Sequence, residues 1–159
     1  DITYIRTGEG WLFLAVIIDL FSRKVIGHAT GHRQTTPLVL NALHMAASRL
    51  NKGSKVILHS DQGSQYSSYD YVQLTKKYNI VLSMSRRGNC YDNAVAESFF
   101  KTLKKELVKK QIFKTRADAK SKIFEYIQMF YNAKRRHSYL GYISPNEFEK
   151  RYNTKSLEN

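Results

Sequence analysis

The stretch WLFLAVII, residues 11–18, decides the fold. An unbroken apolar run rich in β-branched and aromatic residues reads as a strand covered on both faces, because a strand with one wet face would alternate. It is also far shorter than the ~20 residues that span a bilayer and lacks the flanks of a signal peptide, so no membrane partner is expected. Working backwards, Ile2 to Thr7 alternates as a strand, and GEG, residues 8–10, turns it into the run. Working forwards, KVIGHAT, residues 24–30, makes a third strand, and the three form a meander. The period then changes. TTPLVLNALHMAASRL, residues 35–50, offers Thr35 or Thr36 as helix cap, Pro37 in the first turn and apolar residues at helical spacing. Strands at 55–60 (KVILHS) and 80–85 (IVLSMS) flank a helix over 68–77. Helices at 93–107, about 116–132 and 145–152 complete the chain. This order predicts an α/β domain over residues 1–159: a mixed five-stranded sheet with helices on both faces, and a C-terminal helical extension over about 116–152.

The composition narrows the partner. A chain of 159 residues, 42% apolar and 13% aromatic, can build one core and is not disordered. Its net charge of +13 is uneven: residues 1–80 hold 9 basic and 5 acidic side chains, residues 81–159 hold 17 and 8. Such an excess of one sign calls for an acidic partner, nucleic acid first. The single cysteine, Cys90, permits no internal disulfide and no CxxC site, which fits a reducing, cytoplasmic compartment. The chain opens at Asp1 without an initiating Met, as a domain cut from a longer protein would.

Three carboxylates stand where chemistry gathers in such sheets. Asp1 begins the first strand, Asp61 follows VILHS in HSDQGSQY, and Glu97 lies in the helix NAVAESFFKTLKKEL, residues 93–107. Each has an ordinary explanation: a frayed end, a turn residue, and a Glu97–Lys101 ion pair worth about 0.3–0.5 kcal/mol. Brought together they would repel by about 4 kcal/mol per pair at 4 Å and an effective dielectric near 20. A cluster of that kind persists if it is protonated or holds a hard cation. Mg²⁺ suits best because it keeps positions open for water and phosphate oxygens, and Mn²⁺ also fits. Lys101 and Lys104, four and seven residues after Glu97, would then face neighbouring phosphates.

The 35 residues between Asp61 and Glu97, with DITYI, IDLFSRKVIG, HSDQGSQY, NCYDNAVAESFF and YNAKRRHSYLGYISPNEF, resemble the DDE transposases of bacterial insertion sequences, members of the retroviral-integrase superfamily. The resemblance runs from Asp1 to about Tyr152. It implies a ribonuclease-H-like fold with Asp1, Asp61 and Glu97 as metal-binding catalytic triad. It further implies strand cleavage by activated water, then attack of the freed 3′-hydroxyl on another DNA phosphate. Lys101 and Lys104 match DNA-contacting lysines of the superfamily. A homo-oligomer assembled on paired DNA ends is implied too, as is an upstream helix-turn-helix region that this sequence does not contain.

Other residues compete for these roles. Asp19, at the end of the second strand, cannot be separated from Asp1 by spacing; the resemblance favours Asp1. Asp92 reads as a helix-start residue and Asn93 as a cap. His59 and Cys90 lack partners that would make them catalytic. Arg86 and Arg87 in RRGN, and Arg135 and Arg136 in KRRH, are candidate phosphate contacts whose ordinary reading is a solvated basic loop. Tyr66, Tyr69 and Tyr71 fit either base stacking or packing. At the level of function, a ribonuclease-H-like nuclease without strand transfer and an inactive DNA-binding domain are the rivals.

Overall fold

The computed structural model describes residues 1–50, 53–85 and 93–157. Strand β1 (Ile2–Thr7) buries Thr3, Ile5 and Thr7 and leaves Tyr4 and Arg6 outside, the alternation its sequence carries. It pairs antiparallel with β2 (Gly10–Ile18), which pairs with β3 (Val25–Gly31) across a bulge at Ile17 and Ile18. Both faces of this meander are covered. Ile5, Leu14, Val16 and Val25 pack against Phe99 and Leu103 of α3 (Ala94–Glu106) and Ile123 of α4 (Arg116–Glu125). On the opposite face Ala15 meets Leu38, Val39 and Leu43 of α1 (Thr36–Ala47). The long apolar run of β2 is the direct cause: it has no wet side to give.

Helix α1 lies close on β3 because Gly27 has no side chain. A Cβ there would stand 2.3 Å from the Ala42 carbonyl oxygen and 2.8 Å from the Ala46 Cβ. Thr35 is the N-cap of α1 and Pro37 lies in its first turn, but the threonine hydroxyl makes no cap bond. Ser68 does cap α2 (Tyr69–Lys77), and Thr115 caps α4 by accepting from the Asp118 N–H at 3.0 Å. Strands β4 (Val56–Ser60) and β5 (Ile80–Met84) run parallel, joined through α2.

Two expectations are corrected. The single five-stranded sheet is divided into a three-stranded antiparallel and a two-stranded parallel sheet, with no ladder from β1 to β4 among the described residues. The β1 ladder ends with Asp1 opposite Val16, so Ile17 and Ile18, paired with β3 on one side, border on the other a cavity of about 300 Å³ that β4 also lines. The helix expected over 116–132 is regular only to Glu125 and continues as a π turn, Tyr126–Tyr131. The wider turn rotates Tyr131 into the core and leaves Phe130 42% exposed. It also delivers buried Asn132 to Val25, whose backbone N–H and C=O it pairs at 3.0 Å each. The last helix, α5 (Pro145–Leu157), is longer than the 145–152 segment expected.

Candidate metal and nucleic-acid site

Asp1 is fixed by its surroundings on three sides. Its carbonyl accepts from the Val16 N–H at 2.9 Å, its Oδ1 from the Ile2 N–H at 2.6 Å and its Oδ2 from the Asn93 side-chain amide at 2.9 Å. Asp1 and Asn93 line the same cavity as His59 and Ser60 of β4, so Asp61, the residue after Ser60, follows directly on that wall although it comes from the other sheet. It sits just past the end of β4, exposed, with Oδ1 accepting from the Gly63 N–H at 2.9 Å in an Asx turn. Tyr66, beside it, is raised far above the ordinary tyrosine range by burial, with Tyr71 and Asp61 adding to the shift.

Glu97 is half-buried and forms no hydrogen bond or ion pair among the described residues. The Glu97–Lys101 pair that would have given it an ordinary purpose is not formed. Glu97 is four residues after Asn93, hence on the same helix face as the amide that holds Asp1. Lys101, one turn on, is exposed; Lys104, a further turn on, places Nζ 5.1 Å above the Tyr4 ring.

The remaining candidates fall elsewhere. The Asp19 Oδ2 accepts from the Ser22 N–H at 2.8 Å and the Ser22 hydroxyl at 2.6 Å; Glu149 Oε1 stands 2.9 Å from that same hydroxyl, whose single proton the two carboxylates share, and Glu149 holds Lys24 at 2.6 Å. Asp19 closes the β2–β3 turn. Arg135 is bound in a fork by Glu106, with contacts of 2.9–3.0 Å, and Tyr126 donates to the same carboxylate at 2.6 Å. Burial pushes Glu106 up, but the hydrogen bonds from Arg135 and Tyr126 outweigh it and hold the carboxyl below its usual range. Arg136 is exposed. Arg86, Arg87, Cys90 and Asp92 lie outside the described residues. His59 bonds Ser83 through Nδ1 at 3.0 Å, and its Nε2 is buried with no partner among the described residues. Tyr66 and Tyr71 pack edge to face at 5.4 Å, both buried, while Tyr69 is exposed.

Asn93 is what reading the sequence missed. It was legible as a cap, and it is the N-cap residue, but its side chain makes no cap bond and turns to Asp1 instead. Its spacing of four from Glu97 was the available signal.

A ribonuclease-H-like α/β core with carboxylates from two strands and a helix defines the class, and the comparisons agree. Two models described as integrase core domain match residues 1–90 and 97–152, so the chain belongs to the integrase core family. It is 49% identical over 149 residues to Transposase InsF for insertion sequence IS3A of Escherichia coli (strain K12), covering 94% of this chain and 52% of that one. The transposase for insertion sequence element IS904 of Lactococcus lactis subsp. lactis (strain IL1403) is 49% identical over 154 residues, covering 97% and 60%. The chain thus spans about half the length of the curated relatives it matches. The catalytic core domain of BIV integrase superposes with a TM-score of 0.64 at 18% identity, covering 98% of this chain and 95% of that one. A simian T-cell lymphotropic virus intasome chain, in complex with PP2A regulatory subunit B56 gamma, gives 0.64 at 19% identity over 81% of this chain and 47% of that one. These last two show the fold.

Enzymes of this family use divalent metal ions, and the donor set suits one. Asp1, Asp61 and Glu97 offer hard carboxylate oxygens, and Asp61 Oδ2 and both Glu97 oxygens have no partner among the described residues. The described residues hold no ready-made group of three ligands: Asp1 and Asn93 line one cavity with Ser60, the residue before Asp61, and Glu97 lies one turn after Asn93 on α3.

Proposed function

We propose that this chain is the catalytic core of a DNA transposase that cleaves DNA strands and joins the freed 3′ ends to a second DNA. The observation that supports the proposal is that the Asn93 amide of α3 holds the Asp1 carboxylate beside a cavity whose wall ends at Ser60, the residue before Asp61, on a helix that carries Glu97, Lys101 and Lys104 in a chain of net charge +13. Asp1, Asp61 and Glu97 would hold the divalent ion, Mg²⁺ by preference and Mn²⁺ as substitute. When bound, it neutralises charge on the reacting phosphate and polarises the attacking and leaving oxygens. The protein's own residues do the rest. Asn93 fixes the Asp1 carboxylate, the β1–β2 ladder anchors its backbone, and Lys101 and Lys104 bind phosphates beside the one attacked. Arg136, with Arg86 and Arg87, extends the phosphate contacts; Arg135 serves instead to tie α3 to the π turn.

In this reading β1 and β4 draw together into one five-stranded sheet when the metal and DNA are bound, which brings Glu97 to the two aspartates. The working unit is a homo-oligomer on paired DNA ends in the bacterial cytoplasm, associated with the nucleoid, and the intasome neighbour supports that assembly. The test is nicking and joining of a labelled duplex carrying the element's end, with Mg²⁺ or Mn²⁺, by this chain and an N-terminally extended one. Glu97→Gln is expected to abolish both steps. If joining survives that substitution, the triad is wrong; cleavage without joining would indicate a nuclease instead.

A further inference from the structure

Phe21 and Tyr152 form one aromatic pair open to solvent, and Tyr4 and Trp11 form another. Their rings meet edge to face at 5.1 Å, yet Tyr4 is 55% and Trp11 47% exposed. The Tyr66–Tyr71 and Phe99–Tyr131 pairs, of similar geometry, are buried. Ordinary cross-strand packing accounts for contact between two rings but not for leaving half of each in water on an outer strand.

Cations surround the pair. Lys104 Nζ lies 5.1 Å from the centroid of Tyr4, exposed Arg6 is the β1 residue directly opposite Trp11, and Arg116 donates through Nε to the Trp11 carbonyl at 3.0 Å. Glu9, in the turn before Trp11, accepts from the Arg116 N–H at 2.8 Å. Flat π surfaces half open to solvent, with unneutralised cations beside them, are what single-stranded nucleic acid requires: bases stack on the rings while phosphates meet the charges.

The position relative to the carboxylates fits. Tyr4 is three residues along β1 from Asp1, about 10 Å at strand rise. Lys104 is seven residues along α3 from Glu97, also about 10 Å at helical rise. Asp1 and Tyr4 project from opposite faces of β1, and Lys104, on the α3 side with Asn93 and Asp1, reaches round the strand to the Tyr4 ring, so α3 and β1 run side by side from Asp1 to this patch. That separation is about three steps of stacked bases at 3.4 Å each. Accordingly, we propose that Tyr4 and Trp11 form a stacking platform for unpaired bases of the DNA strand that leaves the carboxylate site, its phosphates held by Lys104 and Arg6. The inference rests on the transposase reading for the identity of the ligand.

Trp11 is the sole tryptophan, so its emission reports on this patch directly. The experiment titrates this chain at low salt with a ten-nucleotide oligothymidylate and with a blunt duplex, following Trp11 fluorescence and the anisotropy of labelled DNA. Single strand is expected to quench Trp11. Tyr4→Leu is expected to weaken single-strand binding about tenfold and duplex binding less than about twofold. Tyr4→Phe, which keeps the ring, should bind as wild type does, and circular dichroism controls for folding. Lys104→Ala should weaken both DNAs, with a shallower salt dependence. Unchanged Trp11 emission at saturating single strand, or equal loss of both DNAs in Tyr4→Leu, overturns the platform and leaves the transposase reading intact. No binding of either DNA overturns the platform and the phosphate contacts of the proposed function together.

Discussion

The two sheets of this domain are built to different standards. In the meander the middle of each strand is covered, with Leu14 and Val25 fully buried under α1, α3 and α4, and only the far end around Tyr4, Arg6 and Trp11 is open. In the parallel pair, β4 exposes Ile57 at 70% and β5 exposes Val81 at 42%, with a cavity of about 300 Å³ along the side of β4 facing the meander. Asp1 comes from the first and Asp61 from the second. Stability and site assembly are therefore separable in this molecule: the meander and its helices hold the fold, while the joint between the sheets decides whether the carboxylates meet. Regions of low contact density are where proteins place parts that adjust on binding.

The sharpest test of that separation is a pair of truncations. Leu103 is fully buried between α3 and the meander, and Leu103→Ala should cost about 2–5 kcal/mol of stability. Ile57→Ser, on the open wall of β4, should change stability by no more than about 0.5 kcal/mol. Chemical denaturation monitored by circular dichroism reads both. A loss at Ile57 approaching that at Leu103 would mean the parallel pair carries the fold as much as the meander does.

A smaller effect is expected at the joint itself. Asn93→Ala removes the amide that orients the Asp1 Oδ2, a position comparable to the outer partners of metal ligands, whose loss lowers activity by about 10- to 100-fold. The melting temperature should move little, because Asn93 makes no cap bond. Strand-transfer rates set beside thermal melts separate the two readings: a large drop in melting with proportionate loss of activity would make Asn93 a structural residue only.

How much of this was legible in the sequence follows from which forces act locally. The strand order, the helices and the apolar face of α3 could be read because burial imposes a period on the chain, and Phe99, Phe100 and Leu103 obey it. Capping was not legible: Thr35 and Asn93, read as caps, make no cap bond, while Ser68 and Thr115 do. The π turn was not, since Tyr126–Tyr131 becomes π only when Asn132 has Val25, 107 residues away, to bind. Nor was the role of Arg135. Next to Arg136 in a basic run it looks like a phosphate contact, and only the fold brings Glu106 and Tyr126 to it. The Asp1–Asn93 bond links residues 92 apart, beyond any local pattern. Asp1 and Asp19 were equivalent by spacing, and what parts them is the Ser22 and Glu149 network that occupies Asp19.

The smallest effect concerns acid. His28, on β3 of the meander, is held below the ordinary histidine range by burial and by Arg49, and His137, packed on Tyr131, by burial and by Arg135. A folded value lower than the unfolded one means the unfolded chain binds protons that the folded chain declines. Stability is therefore highest above about pH 6.5, the unfolded value, and falls as pH drops through 6.5 towards the folded values, below which no further loss accrues from these groups. Both rings belong to the well-covered side of the molecule: His28 Nε2 sits 3.2 Å from Gln128 Nε2, and His137 Nε2 is buried without a partner. Melting temperatures should thus decline between pH 7.5 and pH 5.5, and the double variant His28→Gln, His137→Gln should flatten that decline. If the slope persists in the double variant, the acid-sensitive groups lie elsewhere, and the joint between the sheets becomes the first place to look.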